Sequence, residues 1–155
     1  MKPKKRHSNV HAAYLILKKE GKILLGKRIN TGYMDGYFGL PAGHAEEGES
    51  LSQTMIRETQ EEIGLSLLPE QLNFVFLLHR FSLDNPSQQP ERIDVFYEAL
   101  NWQGQITNLE PEKCSQLTWF SPTDLPVNTV PYIKYALAKI SSGENYSELD
   151  WDKLS

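Results

Sequence analysis

The chain has 155 residues, a mass of 17.7 kDa and a formal net charge of −4, with 39% hydrophobic and 23% charged residues. A chain of this length suits one domain that buries roughly two-thirds of its unfolded surface, so it needs no disulfide or metal staple, and its composition excludes a disordered chain. The acidic balance argues against a stable nucleic-acid partner held by bulk charge, the single Cys114 excludes an internal disulfide, and no apolar run reaches the roughly 18 residues that span a bilayer.

Residues 1–7 form a basic tail with no continuous apolar core after it, so no secretory signal is expected and the expected location is cytoplasmic. Residues 9–17, centred on Tyr14, Leu15 and Ile16, read as a buried strand. Glu20 and Gly21 mark a turn, and residues 22–28 read as a second strand hairpinned onto the first. Residues 30–36 are rich in turn residues, and residues 37–40 are a short strand stopped by Pro41. The strongest helix covers 50–64. Ser50 with Gln53 is a capping-box pattern, Gly64 is a stop, and Leu51, Met55, Thr59 and Ile63 make one mostly apolar stripe.

Residues 72–81 and 93–102 read as strands divided by a polar loop, 84–90, and residues 117–120 as a further strand. A second helix covers 129–141, with Pro131 near its start and Ile133, Leu137 and Ile140 as its stripe. Residues 143–155 are an acidic tail expected to be loosely held, with Leu149 and Trp151 as the residues able to dock. Strands, helix, strands, helix is not the alternation of a doubly wound sheet. The order points to the α/β class, with a mixed sheet carrying helices on its faces in a single domain over 1–155.

The chemistry concentrates on the first helix. Glu58, Glu61 and Glu62 are spaced by three and four residues, so they project from one face and repel one another. A solvated acidic face is the commoner meaning of such a run. Hard divalent cations are the other partner, because they take carboxylate oxygens. The surroundings decide between them. Gly43, five residues, Glu49, seven residues and then Arg57-Glu58-Thr59-Gln60-Glu61-Glu62-Ile63-Gly64-Leu65 resembles the Nudix box, GX5EX7REUXEEXGU with U an apolar residue. Gly43, Glu49, Arg57, Glu58, Glu61, Glu62 and Gly64 hold its fixed positions; chance agreement is on the order of one in a billion per starting point. Thr59 is a mild departure at a position usually apolar. Tyr37 to Gly43 also resembles the family's approach to the box, with Ala42 where glycine is common.

The resemblance implies the Nudix fold, an α/β/α sandwich with a mixed β-sheet and the box as loop, helix and loop. It implies hydrolysis of a nucleoside diphosphate linked to a further group X, assisted by Mg²⁺, with Mn²⁺ as the substitute. Implied metal ligands are Glu58, Glu61, Glu62 and the backbone carbonyl of Gly43, whose glycine also suits a tight turn. Arg57 is implied to pair with Glu49 and brace the loop against the helix. The general base varies within the family between a box glutamate and a later loop carboxylate, for which Glu110 and Glu112 are the candidates.

Substrate contacts are less legible. Arg28, Arg80 and Lys113 suit phosphate, Tyr37 and Phe38 suit stacking on a base, and His79 stands beside Arg80. His44 lies next to Gly43 without a zinc spacing, and Cys114 reads as a buried small residue.

Marks of several subfamilies are missing, such as the proline that ADP-ribose hydrolases often carry where Arg80 and Phe81 stand. What is left resembles a MutT-like nucleoside triphosphate pyrophosphohydrolase releasing a nucleoside monophosphate and pyrophosphate. A hydrolase of a nucleotide sugar, ADP-ribose or a capped RNA end is the alternative, and a non-catalytic nucleotide-binding module is the third reading. The expected partner is a small nucleotide, with no membrane partner, and a homodimer is compatible with the sequence. The box carries six acids and only Arg57 as a base, so the rest of the chain is nearly neutral and the acidity is a concentrated anionic site.

Overall fold

The computed structural model describes residues 1–82, 84 and 89–154. Residues 85–88 of the expected loop lie outside the described residues. The strands are β1 (Val10–Ile16), β2 (Lys18–Lys19), β3 (Lys22–Arg28), β4 (Phe38–Gly39), β5 (Ala42–His44), β6 (Leu72–Phe81), β7 (Glu91–Ala99), β8 (Cys114–Phe120) and β9 (Tyr146–Leu149). The helices are α1 (Leu51–Ile63) and α2 (Pro131–Ser141).

β1 explains the layering. Ala13, Leu15 and Leu17 alternate onto one face, where Met55 and Ile63 of α1 pack with Leu65 and Leu67. Ala12, Tyr14 and Ile16 alternate onto the other, where Ile133, Ala136 and Leu137 of α2 pack with Phe76, Leu78 and Phe96. A strand apolar on both faces has to lie between two layers, and the result is the expected α/β/α sandwich.

The main sheet runs β5-β1-β7-β6-β9. β1 pairs parallel with β7 and β6 parallel with β9, while the β1–β5 and β6–β7 pairs are antiparallel. A second sheet runs β2-β3-β4, with β8 also on β3. This corrects the expected hairpin of residues 9–17 on 22–28. Only β2 pairs with β3 through the turn at Glu20 and Gly21, and β1 belongs to the other sheet. The apolar run hides the break, because Leu17 stays fully buried between the two pairings. Beyond Pro41 the chain adds β5, a strand the sequence reading missed.

α1 forms as its caps dictate. The Ser50 side chain accepts from the Gln53 N–H, the Gln53 side chain accepts from the Ser50 N–H at 2.8 Å, and Gly64 ends the helix at φ 70. α2 begins at Pro131.

The tail is not loose. β9 adds to the outer edge of β6, pairing Leu77 to Arg80 with Tyr146 to Leu149. The Trp151 indole N–H donates to the His79 carbonyl at 2.9 Å, and its ring lies 4.4 Å from the His79 ring and 5.7 Å from Phe81. An acidic composition conceals this because the edge of β6 supplies backbone partners whatever the side chains are. Trp151→Ala is expected to lower stability by about 1–2 kcal/mol, read as a lower urea midpoint with an unchanged slope. An unchanged midpoint would mean that the tail is not docked.

Candidate active site

The fold brings the box together with β3, β6 and the loop before β8 around one cleft of about 870 Å³. Its lining includes Glu58, Glu61 and Glu62 from α1, Gly43 from β5, Glu110 and Lys113 from the loop, and Arg28 from β3. Arg57 organises the acidic side. Its Nε and Nη2 donate to the two Glu49 carboxylate oxygens at 2.7 and 2.9 Å, and Nη2 also donates to the His44 carbonyl at 3.3 Å. Nη1 donates to Glu58 at 2.8 Å and to Glu61 at 3.4 Å. One guanidinium thus ties the loop, β5 and the helix together, which is the bracing role that the resemblance implied.

Glu49 receives a further bond from the Thr54 hydroxyl at 2.7 Å. The Arg57 hydrogen bond first, and Thr54 second, hold its carboxyl down at about 2, against an ordinary 4.5. A depressed carboxyl supplies its stabilisation above the unfolded value and loses it as pH falls through the folded one. The clamp is therefore complete above pH 4.5 and opens near pH 2, and a carboxyl-carbon NMR titration of Glu49 checks this directly. A midpoint near 4.5 would contradict the clamp. Arg57→Lys keeps the charge but loses the fork; it is expected to reduce kcat/KM about 10- to 100-fold with the fold intact. Activity equal to the parent's would remove Arg57 from the machinery.

Gly43 corrects the sequence reading in its reason. It lies inside β5, opposite Ala13, and makes no tight turn. It has to be glycine because a Cβ there would stand 2.2 Å from the Glu58 side chain. Glu62 is partly covered and accepts from the Ala42 N–H at 3.3 Å. Burial pushes its carboxyl well above the ordinary range, with repulsion from Glu58 and Glu110 adding to it.

These observations test whether a divalent cation fits. The donors are hard carboxylate and carbonyl oxygens, the cradle at Gly43 admits no side chain, and the Glu62 carboxyl is crowded by those of Glu58 and Glu110, which oppose its ionisation until a cation offsets them. Among the described residues the carboxylates do not already converge as a three-ligand set, since Glu58 and Glu61 turn to Arg57. The residues fit a cation that draws them together.

The two loop carboxylates separate here. Glu110 lines the cleft, and burial pushes its carboxyl up despite Lys113, with Glu58, Glu112 and Glu61 adding to the rise. Glu112 is exposed and is not part of the lining, and its backbone carbonyl accepts from the Asn30 side chain. A turn lies between them, in which the Lys113 and Cys114 N–H groups donate to the Glu110 carbonyl, and spacing alone does not reveal it.

The substrate candidates divide likewise. Lys113 lines the cleft. Arg28 also lines it, but spends donors on the Tyr33 carbonyl at 2.9 Å and the Thr31 hydroxyl at 3.2 Å. Phe38 is corrected. It is 5% exposed, packs edge-on against Phe120 at 5.0 Å and belongs to the core, so it offers no face to a base. His79 gives its carbonyl and ring to Trp151. His44 lies in the cleft, where burial, then Arg92, pushes its imidazole down.

Arg80 is 7% exposed and already engaged. Its Nε donates to Asp94 at 2.5 Å, and its guanidinium lies 3.6 Å from the centre of the Tyr132 ring. Burial works against the Arg80 charge, yet Tyr132, Asp94 and Tyr14 outweigh it and hold the guanidinium protonated. Burial pushes the Asp94 carboxyl up, and Arg80 restrains it. The sequence reading passed over Asp94, Tyr14, Tyr33 and Tyr132 in this polar floor. A signal was present. Arg92 and Asp94 alternate with apolar residues on the face that also carries the core residue Phe96, where charge needs a partner.

The profile described as NUDIX domain matches residues 6–140. The RNA pyrophosphohydrolase of Wolbachia pipientis subsp. Culex pipiens is 40% identical over 50 residues, which is 32% of this chain and 29% of that protein. The ADP-ribose pyrophosphatase of Methanocaldococcus jannaschii is 46% identical over 50 residues, again 32% and 29%. The chain therefore matches under a third of the length of either relative. A MutT NUDIX hydrolase from Burkholderia pseudomallei superposes with a TM-score of 0.74 at 24% identity, covering 85% of this chain and 98% of that one, which shows the shared fold. A box matched at all its fixed positions and braced as the resemblance implied, a shared fold and a profile match over most of the chain lead to one conclusion: the chain belongs to the NUDIX domain family.

Proposed function

We propose that this protein hydrolyses the phosphoanhydride of a nucleoside diphosphate linked to a further group, with Mg²⁺ or Mn²⁺ as cofactor. Nucleoside triphosphates, cleaved to nucleoside monophosphate and pyrophosphate, are the first substrates to test. One observation carries the reading: Glu58, Glu61, Glu62 and Glu110 share a single cleft with the cations Arg28 and Lys113. An acidic set alone would repel a polyphosphate, and a basic set alone would only bind it.

Glu58, Glu61, Glu62 and the Gly43 carbonyl would hold the cation, which supplies charge neutralisation for the phosphate oxygens and acidifies bound water. Arg57 keeps Glu58 and Glu61 on the cleft side of α1. Lys113 attracts the phosphate chain and Arg28 holds the loop at Thr31 and Tyr33 that flanks it. A water oxygen attacks one phosphorus of the anhydride, the bridging P–O bond breaks, and pyrophosphate leaves with the bond electrons. Glu110 is the candidate to take the water proton. Burial raises its carboxyl above the ordinary glutamate value, the direction that suits a general base.

The names of the two relatives, an RNA pyrophosphohydrolase and an ADP-ribose pyrophosphatase, favour a second reading, in which the anhydride belongs to an RNA or to ADP-ribose. The substrate turned over separates the readings, because a free nucleoside triphosphate gives a monophosphate and pyrophosphate, ADP-ribose gives AMP and ribose 5-phosphate, and an RNA is scored as the polymer that loses its terminal group. The test is a panel of ribo- and deoxyribonucleoside triphosphates, ADP-ribose, nucleotide sugars and capped RNA, each with Mg²⁺ or Mn²⁺. Steady release of pyrophosphate from a nucleotide supports the first reading. Absence of turnover across the panel would overturn the catalytic reading in favour of a nucleotide-binding module.

A further inference from the structure

Beside the catalytic cleft lies a second cavity of about 310 Å³, whose walls include Met34, Phe81, Tyr135, Leu149 and Lys153. Arg80, Ser82 and Tyr132 line both cavities, so the two meet at the Arg80–Tyr132 stack. The family profile ends at residue 140, and Leu149 and Lys153 lie beyond it. β9 carries Leu149 along β6, Asp150 turns the chain at φ 66, and Trp151 pins the turn that presents Lys153. Lys153 is held in place by Asp150, its side chain at 3.1 Å from the carboxylate. A wall of this compartment is therefore built by residues beyond the reach of the family profile.

From this juxtaposition we infer that the tail completes a compartment for the nucleobase of the substrate, with the phosphates in the neighbouring cleft. The inference rests on the nucleotide reading above. Phe81, Tyr132, Tyr135 and the Met34 thioether supply flat or polarisable faces, which favour a planar ring. Arg80, Lys153 and the Ser82 hydroxyl supply donors for the acceptor atoms of a base edge. A sugar would need a dense set of hydroxyl partners, and a phosphate would need cations without these aromatic faces. The volume lies at the lower end of small-ligand sites, which suits a base with its ribose at the threshold. The Arg80 guanidinium, locked between Asp94 and Tyr132, stands where base and phosphate chain part.

The test uses the full chain in EDTA, so that neither metal nor turnover enters. AMP, GMP, CMP and UMP are titrated calorimetrically against ribose 5-phosphate, which is the same ligand without the base. At least one monophosphate is expected to bind about tenfold more tightly or better. With methyl-labelled methionine, that monophosphate should shift the Met34 methyl resonance by its ring current, and ribose 5-phosphate should not. Leu149→Trp, which fills the compartment, should cancel the advantage of the base and leave ribose 5-phosphate binding unchanged.

Equal affinity for both ligands, no binding of any monophosphate, or a bound monophosphate that leaves Met34 unmoved would overturn the compartment. So would a folded Leu149→Trp with unchanged preference. If that variant does not fold, the Met34 resonance of the parent protein decides. Failure of the catalytic reading looks different, because monophosphates would still bind and shift Met34 while no nucleotide is turned over. Turnover with Met34 unmoved overturns the compartment alone.

Discussion

Glu62→Gln is expected to reduce turnover about 10²- to 10⁴-fold and, in metal-free buffer, to raise stability at neutral pH. Glutamine keeps an acceptor for the Ala42 N–H and nearly the same volume, so the fold is retained. What disappears is the charge. Because burial, then Glu58 and Glu110, push the folded carboxyl above its ordinary 4.5, ionised Glu62 opposes folding. The penalty is absent below pH 4.5, where folded and unfolded chains both hold the proton, and is fully present only above the folded value.

The variant's advantage in EDTA should therefore open as pH rises from 4.5, and Mg²⁺ should reverse it by stabilising the parent more. Urea midpoints across a pH series, with and without Mg²⁺, read the stability, and pyrophosphate release reads the activity. Turnover within a few-fold of the parent's would remove Glu62 from the metal site. An advantage that did not change with pH would remove the repulsion argument.

Gly43→Ala is expected to cost about a hundredfold in kcat/KM for a change of one methyl group. The added Cβ would meet Glu58 at 2.2 Å, and the colliding atoms are the movable end of a side chain. The backbone can stay in register with Ala13, so the stability cost should be only about 1 kcal/mol. Glu58 cannot stay, and it gives up both its place in the cleft and its bond from Arg57. A double-mutant cycle sharpens the test. With Glu58→Gln already made, Gly43→Ala should add little further loss, because both act on one carboxylate. Fully additive losses would mean that Gly43 acts through its carbonyl or the strand path and not through Glu58.

The legible parts of this protein are those in which cause and effect lie close along the chain. The ends of α1 follow from Ser50, Gln53 and Gly64, whose hydrogen bonds and φ are local. The common face of Glu58, Glu61 and Glu62 follows from the helical period. The bracing of Glu49 by Arg57 was implied by the box and spans only eight residues. The illegible parts are pairings between distant segments. Phe38 suited a base or the core equally until Phe120 was seen to cover it, and Glu110 and Glu112 were equivalent until the fold placed only Glu110 in the cleft.

By itself, then, the sequence determined the buried first strand, the acidic helix face, and the resemblance to the family, which implied the sandwich and the arginine brace. The strand and the helix face are written in short-range periodicity, and the resemblance in residue types at fixed short spacings. Only the tertiary structure decided that β1 leaves its apparent hairpin partner for β7, that the acidic tail becomes an edge strand, and that Arg80 is held by Asp94 and Tyr132. The physical reason is common to all three. An edge strand or a buried charge is settled by whichever partner satisfies its hydrogen bonds, and that partner lies far away in the chain.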